Sequence, residues 1–192
     1  MLLRLLSAVA VLMLGTLMTA GAQTPPTNPV PPGFIVAPMA RATIFVRNQD
    51  ESLKLYRDIL GLRVRRDSRF DDQRFNQVQG TKNLGIKVKI LQSGDVVYGN
   101  VGLFELQGDD RRQTPPALRK TSVVTGDIAV VFITTDIMGI TAKLKAAGYA
   151  IISEPMVLFP NDAMEIQPLE MLFRDSDGIL VNLIQAGRKK GE

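Results

Sequence analysis

The chain has 192 residues, with 23 Lys plus Arg against 19 Asp plus Glu, and it has neither cysteine nor histidine. Disulfides are excluded, and so are the commonest metal ligand and the usual general base at neutral pH. The net charge of +4 is scattered, with no basic helix face interleaved with aromatics, so a nucleic-acid partner is not expected.

Arg4 precedes a run, residues 5–18, that is apolar apart from Ser7, Gly15 and Thr16. Thr19-Ala20-Gly21-Ala22 then places small residues where a signal peptidase reads them, which predicts a signal peptide over 1–22, cleaved before Gln23. The run is short of the ~20 residues that span a bilayer. No stable membrane insertion is therefore expected after cleavage, and a periplasmic or secreted location is. Residues 23–39 read as a Pro-rich linker, since six prolines and no charge over 23–38 remove backbone donors and stiffen the chain. Within it, Phe34-Ile35-Val36 is a candidate extra edge segment.

Residues 41–47 are β-branched and aromatic in alternation and predict a strand. Asn48, three before Glu51, has the spacing of an N-cap with a reciprocal carboxylate. Leu53, Tyr56 and Leu60 recur at helical spacing, and Gly61 suits the left-handed position that ends a helix. Residues 62–66 predict a strand and 67–83 a polar loop with a short helix. Arg66, Arg69 and Arg74 make that stretch a lid candidate, with a solvated loop as the default. Residues 86–91 and 96–106 predict a hairpin around Ser93-Gly94. A second linker, 108–125, contains Pro115-Pro116.

The same order then recurs. Residues 127–133 predict a strand; Ile137, Ile140, Leu144 and Ala147 form a helical stripe closed by Gly148. Residues 150–153 predict a strand, and 170–174 with 179–185 predict a hairpin over Asp175-Ser176-Asp177-Gly178. The halves are module 1 (40–107) and module 2 (126–187), each β-α-β-β-β, with a basic tail at 188–192. A half of this kind leaves one sheet face bare, so pairing the halves encloses a cleft.

Three segments carry a family resemblance. Residues 43–61, ending Tyr56-Arg57-Asp58-Ile59-Leu60-Gly61, resemble the first strand and helix of the vicinal-oxygen-chelate superfamily, the glyoxalase/bleomycin-resistance/extradiol-dioxygenase-like domains. Leu144-Lys145-Ala146-Ala147-Gly148 resembles the helix ending of the second module. Residues 173–182, Phe173-Arg174-Asp175-Ser176-Asp177-Gly178 onward, resemble the final hairpin. The resemblance covers roughly residues 40–186 and implies an α+β fold: two βαβββ modules forming a cupped eight-stranded sheet around one cavity, with helices outside. Metal-binding members hold their ion from the first and fourth strands of each module. Counting along the motifs places these positions at Arg41, Glu105, Ala129 and Asn182. Arginine does not ligate a cation, alanine has no donor and asparagine offers a neutral carbonyl, so no metal and no other cofactor is expected.

By strand alternation Arg41, Thr43 and Phe45 face the cavity, and the same parity is assigned to Leu103, Glu105, Val131, Ile133, Leu180 and Ile184. Arg41 and Glu105 are expected as neighbours. One reading is an internal ion pair filling the vacated metal site, which is preferred; the other is a clamp in which Arg41 grips an anion and Glu105, the catalytic candidate, orients it or moves a proton. Asn182 is a ligand contact or a residue bonding its own backbone. The leading expectation is an exported protein binding a small organic ligand, an anion among the options, through Arg41, Thr43, Phe45, Glu105 and Asn182. An enzyme with a displaced metal site is the alternative and needs a further carboxylate, for which Asp127 or Glu170 are the candidates. A non-catalytic interaction module, with the Pro-rich segment docking a partner, is the third. The family pairs its modules within one chain or between two, so a homodimer is one expected assembly.

Overall fold

The computed structural model describes residues 30–71, 73–80, 84–108, 122–158 and 160–191. The expected signal peptide lies outside them, as do residues 23–29 and 109–121 of the two linkers. Strand β1 (Arg41–Phe45) leads to helix α1 (Gln49–Leu53), which continues as a π-helical segment (Lys54–Ile59). Next come β2 (Arg63–Phe70), α2 (Gln73–Gln79), β3 (Gly85–Gln92) and β4 (Asn100–Gln107). Module 2 runs β5 (Ala129–Thr134), α3 (Ile137–Ala146), β6 (Ala150–Met156), β7 (Met164–Ile166), β8 (Leu169–Arg174), β9 (Leu180–Gln185) and β10 (Arg188–Lys189).

The two modules repeat one topology. Sheet order is β1-β4-β3-β2 in the first and β5-β9-β8-β6 in the second, with β1 and β5 each parallel to its neighbour and the other pairs antiparallel. The eight strands thus bond as two sheets of four, not as one ladder. A small β7–β10 ribbon joins a stretch between the expected strands at 150–153 and 170–174 to the expected basic tail.

The helices form where their caps are satisfied. Asn48 Oδ1 accepts from the N–H groups of Asp50 (2.9 Å) and Glu51 (3.2 Å), as the spacing predicts. The reciprocal half does not form, because the Glu51 carboxylate turns to Lys54 Nζ at 2.7 Å. Leu60 N–H reaches back five residues to Leu55 O, which widens the last turns into the π segment before Gly61 (φ 76°) ends them. On the helix side, Ile44, Leu103 and Val101 of module 1 pack in one core with Phe173, Val181 and Leu183 of module 2.

Two other expectations fail. Strand β2 runs through the first four residues of the predicted polar loop, reaching Phe70. Phe34, Ile35 and Val36 do not dock; Ile35 is 96% exposed.

Candidate functional site

Strand β1 separates its two faces cleanly. Ile44 is buried against the helices, whereas Arg41, Thr43 and Phe45 are exposed on the opposite, open face, as alternation predicts. Arg41 Nε donates to Thr43 Oγ1 (3.0 Å), and its guanidinium carbon lies 5.2 Å from the centroid of the Phe104 ring. Phe45 meets the same ring edge-on at 5.8 Å. The aromatic face and the hydroxyl together fix the guanidinium. No carboxylate pairs with Arg41 among the described residues.

Glu105 is not on this face. The parallel register matches Thr43 with Gly102 and Phe45 with Phe104, so Leu103 and Glu105 point to the helix side. There Glu105 Oε2 accepts from the backbone N–H of Gln49 at the start of α1 (2.8 Å), and Oε1 accepts from Gln107 Nε2 (2.6 Å) with Lys87 Nζ at 3.4 Å. Burial alone would raise its pKa, but these donors hold the carboxyl below its ordinary value. Both expected Arg41–Glu105 arrangements, ion pair and clamp, are therefore corrected: the two residues lie on opposite faces of one sheet.

The module repeat identifies the residue that does occupy the fourth-strand position. Val131 pairs with Asn182 as Thr43 pairs with Gly102. Val101-Gly102-Leu103 and Val181-Asn182-Leu183 are the matching triplets, a sequence signal that motif counting missed. At Gly102 a Cβ would come within 3.1 Å of the Phe104 ring and 3.4 Å of Thr43 Oγ1, so side chains of the open face fill that space.

In module 2 the open face carries Val131, Ile133, Leu180, Asn182 and Ile184 by register, as expected. Ile133 is 80% exposed and Val131 54%, whereas Asn182 is buried. Asn182 Nδ2 donates to Glu170 Oε1 at 2.6 Å, so the one of the two spare carboxylates that reaches this face is Glu170. Asp127 does not; it forms a buried ion pair with Arg174 Nη2 at 2.7 Å. The residues at the four family metal positions are thus Arg41, Gly102, Ala129 and Asn182. A cation-repelling guanidinium, two positions without a donor and one neutral amide do not fit a divalent metal. Among the described residues no group of three His, Cys, Asp or Glu could hold one either.

Between the facing edges of β1 and β5 lies a groove of about 340 Å³, bordered by Thr43, Phe45, Ile128, Val130 and Leu180 among others. Beside it, the turn after β8 stitches the modules together. Asp177 Oδ1 accepts from Arg47 backbone N–H (3.0 Å) and Nε (2.9 Å). Asp175 accepts from the Tyr56 hydroxyl (2.9 Å) and from the N–H groups of Asp177 and Ile179. Sequence reasoning gave this turn no role beyond turning the chain. Burial raises the Asp175 pKa to about 6 despite those bonds.

Comparison with curated proteins found no match. Among solved structures, a glyoxalase family protein from Bacillus cereus superposes with a TM-score of 0.67 at 16% identity, covering 83% of this chain and 99% of that one. A glyoxalase I mutant from Zea mays gives 0.54 at 20% identity over 78% of this chain but only 44% of the maize chain. The trypanothione-dependent glyoxalase I of Leishmania major gives 0.52 at 16% identity, over 78% and 87%. At such identities these likenesses speak for the fold alone. The family model of the glyoxalase/bleomycin resistance protein/dioxygenase superfamily matches residues 39–183, most of the chain and both βαβββ modules, so the protein belongs to that superfamily.

Proposed function

We propose that this is an exported protein that binds a small organic anion on the open face of its two sheets, without a metal. The observation that carries the reading is Arg41: an exposed guanidinium, fixed by Thr43 and Phe104, set at a position where metal-binding relatives would place a ligand. A cation there favours an anion and repels a metal. Phe45 (50% exposed), Val131 and Ile133 supply apolar surface for the body of the ligand, and the Asn182–Glu170 pair supplies polar contacts. Export rests on the apolar run at 5–18 and the small residues 19–22. Calorimetric titration of the chelator-stripped protein tests the reading in two arms. Decanoate is expected to bind, about tenfold more weakly after Arg41→Gln, the loss of one charge-assisted pair. Zn(II), Ni(II), Mn(II) and Fe(II) are expected not to bind at micromolar levels. Tight metal binding abolished by Glu170→Ala or Asn182→Ala would replace this proposal with a metalloenzyme.

A further inference from the structure

Arg41 has a counterpart on the same sheet. Strand β2 was expected to end at Arg66, but it continues, and its register matches Arg66 with Ile90, Ser68 with Val88 and Phe70 with Ile86. Ile90 in turn matches Gly102, and Val88 matches Phe104. Arg66, Ser68 and Phe70 therefore share the open face with Arg41, Thr43 and Phe45. The two arginines are held by the same device. Arg66 Nε donates to Ser68 Oγ (3.1 Å), two residues along its strand, just as Arg41 Nε donates to Thr43 Oγ1 (3.0 Å). The Arg66 guanidinium lies 5.5 Å from the Phe70 ring, as that of Arg41 lies 5.2 Å from Phe104. Each Nε is occupied and each plane is set against an aromatic ring, while the terminal Nη groups of both have no acceptor among the described residues. Both side chains are exposed.

A guanidinium with a fixed plane and unused Nη groups is pre-organised for an oxyanion, because little rotamer entropy is left to lose when the anion arrives. The two supporting rings stand on β4 and β2, two strands apart and two residues offset. Strand spacing and rise put their Cα atoms on the order of 12 Å apart. The cross-strand row between them, Phe45–Phe104–Val88–Ser68, carries no charge. Phe104 and Val88 are buried with Ile86 and Ile90, so an apolar spacer would lie over the rim of that cluster, along half-exposed Phe45 and the partly buried Phe70, and not on its centre. A ligand with one anionic group would satisfy one arginine and leave the other facing it unpaired.

We infer that the open face of sheet 1 is a two-point site for a linear dicarboxylate, with Arg41 gripping one carboxylate, Arg66 the other, and an apolar spacer lying between them. This rests on the anion-binding reading above and adds a second anchor and a ligand class to it. Pairing with a carboxylate is the whole interaction, so no bond is made or broken.

The test uses sebacate as the linear dicarboxylate, decanoate as its monocarboxylate counterpart and 1,10-decanediol as the uncharged one, titrated into the purified protein. Sebacate is expected to bind about tenfold more tightly than decanoate, and the diol to bind most weakly. Arg66→Gln is expected to bring sebacate down about tenfold, to the level of decanoate, and Arg41→Gln to weaken sebacate by at least as much. Unaltered circular dichroism of the two exposed-site variants keeps the comparison a binding measurement. If decanoate binds through Arg41 but sebacate gains nothing and Arg66→Gln is silent, the two-point site is wrong and the single-anion reading stands. If the diol matches both acids, neither reading survives.

Discussion

Glu105 and Asp175 are both buried carboxylates, yet their surroundings push them in opposite directions. Glu105 has donors from Gln49, Gln107 and Lys87 that outweigh its burial. Removing it leaves the Gln49 N–H at the start of α1 unpaired, which costs about 1–3 kcal/mol. Because it faces the helices, Glu105→Ala should lower the unfolding free energy read from urea titration by that amount while leaving decanoate affinity as it was; a loss of affinity in a folded variant would return Glu105 to the site. For Asp175, burial is the largest influence and lifts the pKa from an ordinary value of 3.8 to about 6. As pH rises, the unfolded chain then releases its proton first, and the folded state is progressively disfavoured. The penalty is absent below about pH 4, grows to a limit of about 3 kcal/mol near pH 6 and stays constant above. Asp175→Asn should remove this decline, so the difference in stability between the variant and the parent should shift in the variant's favour across that window. Urea titrations of both proteins at pH 4, 5, 6 and 7 read it directly, and parallel curves would rule the account out.

At the scale of elements, the strands and helices with clear alternation or caps were legible. Asn48 caps α1 through the N–H groups of Asp50 and Glu51, and Asn48→Ala should cost about 1 kcal/mol in chemical denaturation, the usual worth of such a cap. Strand β2 was harder to read, because Arg63-Val64-Arg65-Arg66-Asp67-Ser68-Arg69 is polar on both faces. It is an edge strand paired only with β3, and a register shift between Val64 and Arg66 further breaks its period. An edge strand exposed on both sides has no apolar rhythm to detect, and that is why residues 67–70 read as loop and not as the continuation of the strand. The face of Glu105 was misjudged for another reason. Counting along a motif fixes a residue to within a few positions, but a strand reverses its facing at every residue. The triplets around Gly102 and Asn182 carry the correct parity. The π segment had no advance signal, since residues 54–59 have ordinary helical composition.

Across the whole molecule, the two modules were read correctly as repeats, but what binds them was not visible in either repeat alone. Their shared core mixes Leu55 and Tyr56 with Met171, Phe173 and Leu183, and the Tyr56 ring lies 6.4 Å from that of Phe132. Polar bonds run across the same seam, from Tyr56 to Asp175 and from Arg47 to Asp177. A module stripped of its partner would expose this core, so neither half should persist alone. Unfolding should therefore be a single transition. The chain has no tryptophan and 3 tyrosines, of which Tyr56 belongs to module 1 and Tyr149 to module 2, so tyrosine fluorescence samples both halves. Its urea curve should coincide with that of far-UV circular dichroism. Tyr56→Ala, which empties a fully buried ring site at the seam, should cost about 3–5 kcal/mol and move both curves together. Two separated steps, with Tyr56→Ala shifting only one of them, would mean that the modules fold independently and that the seam is a contact between finished units.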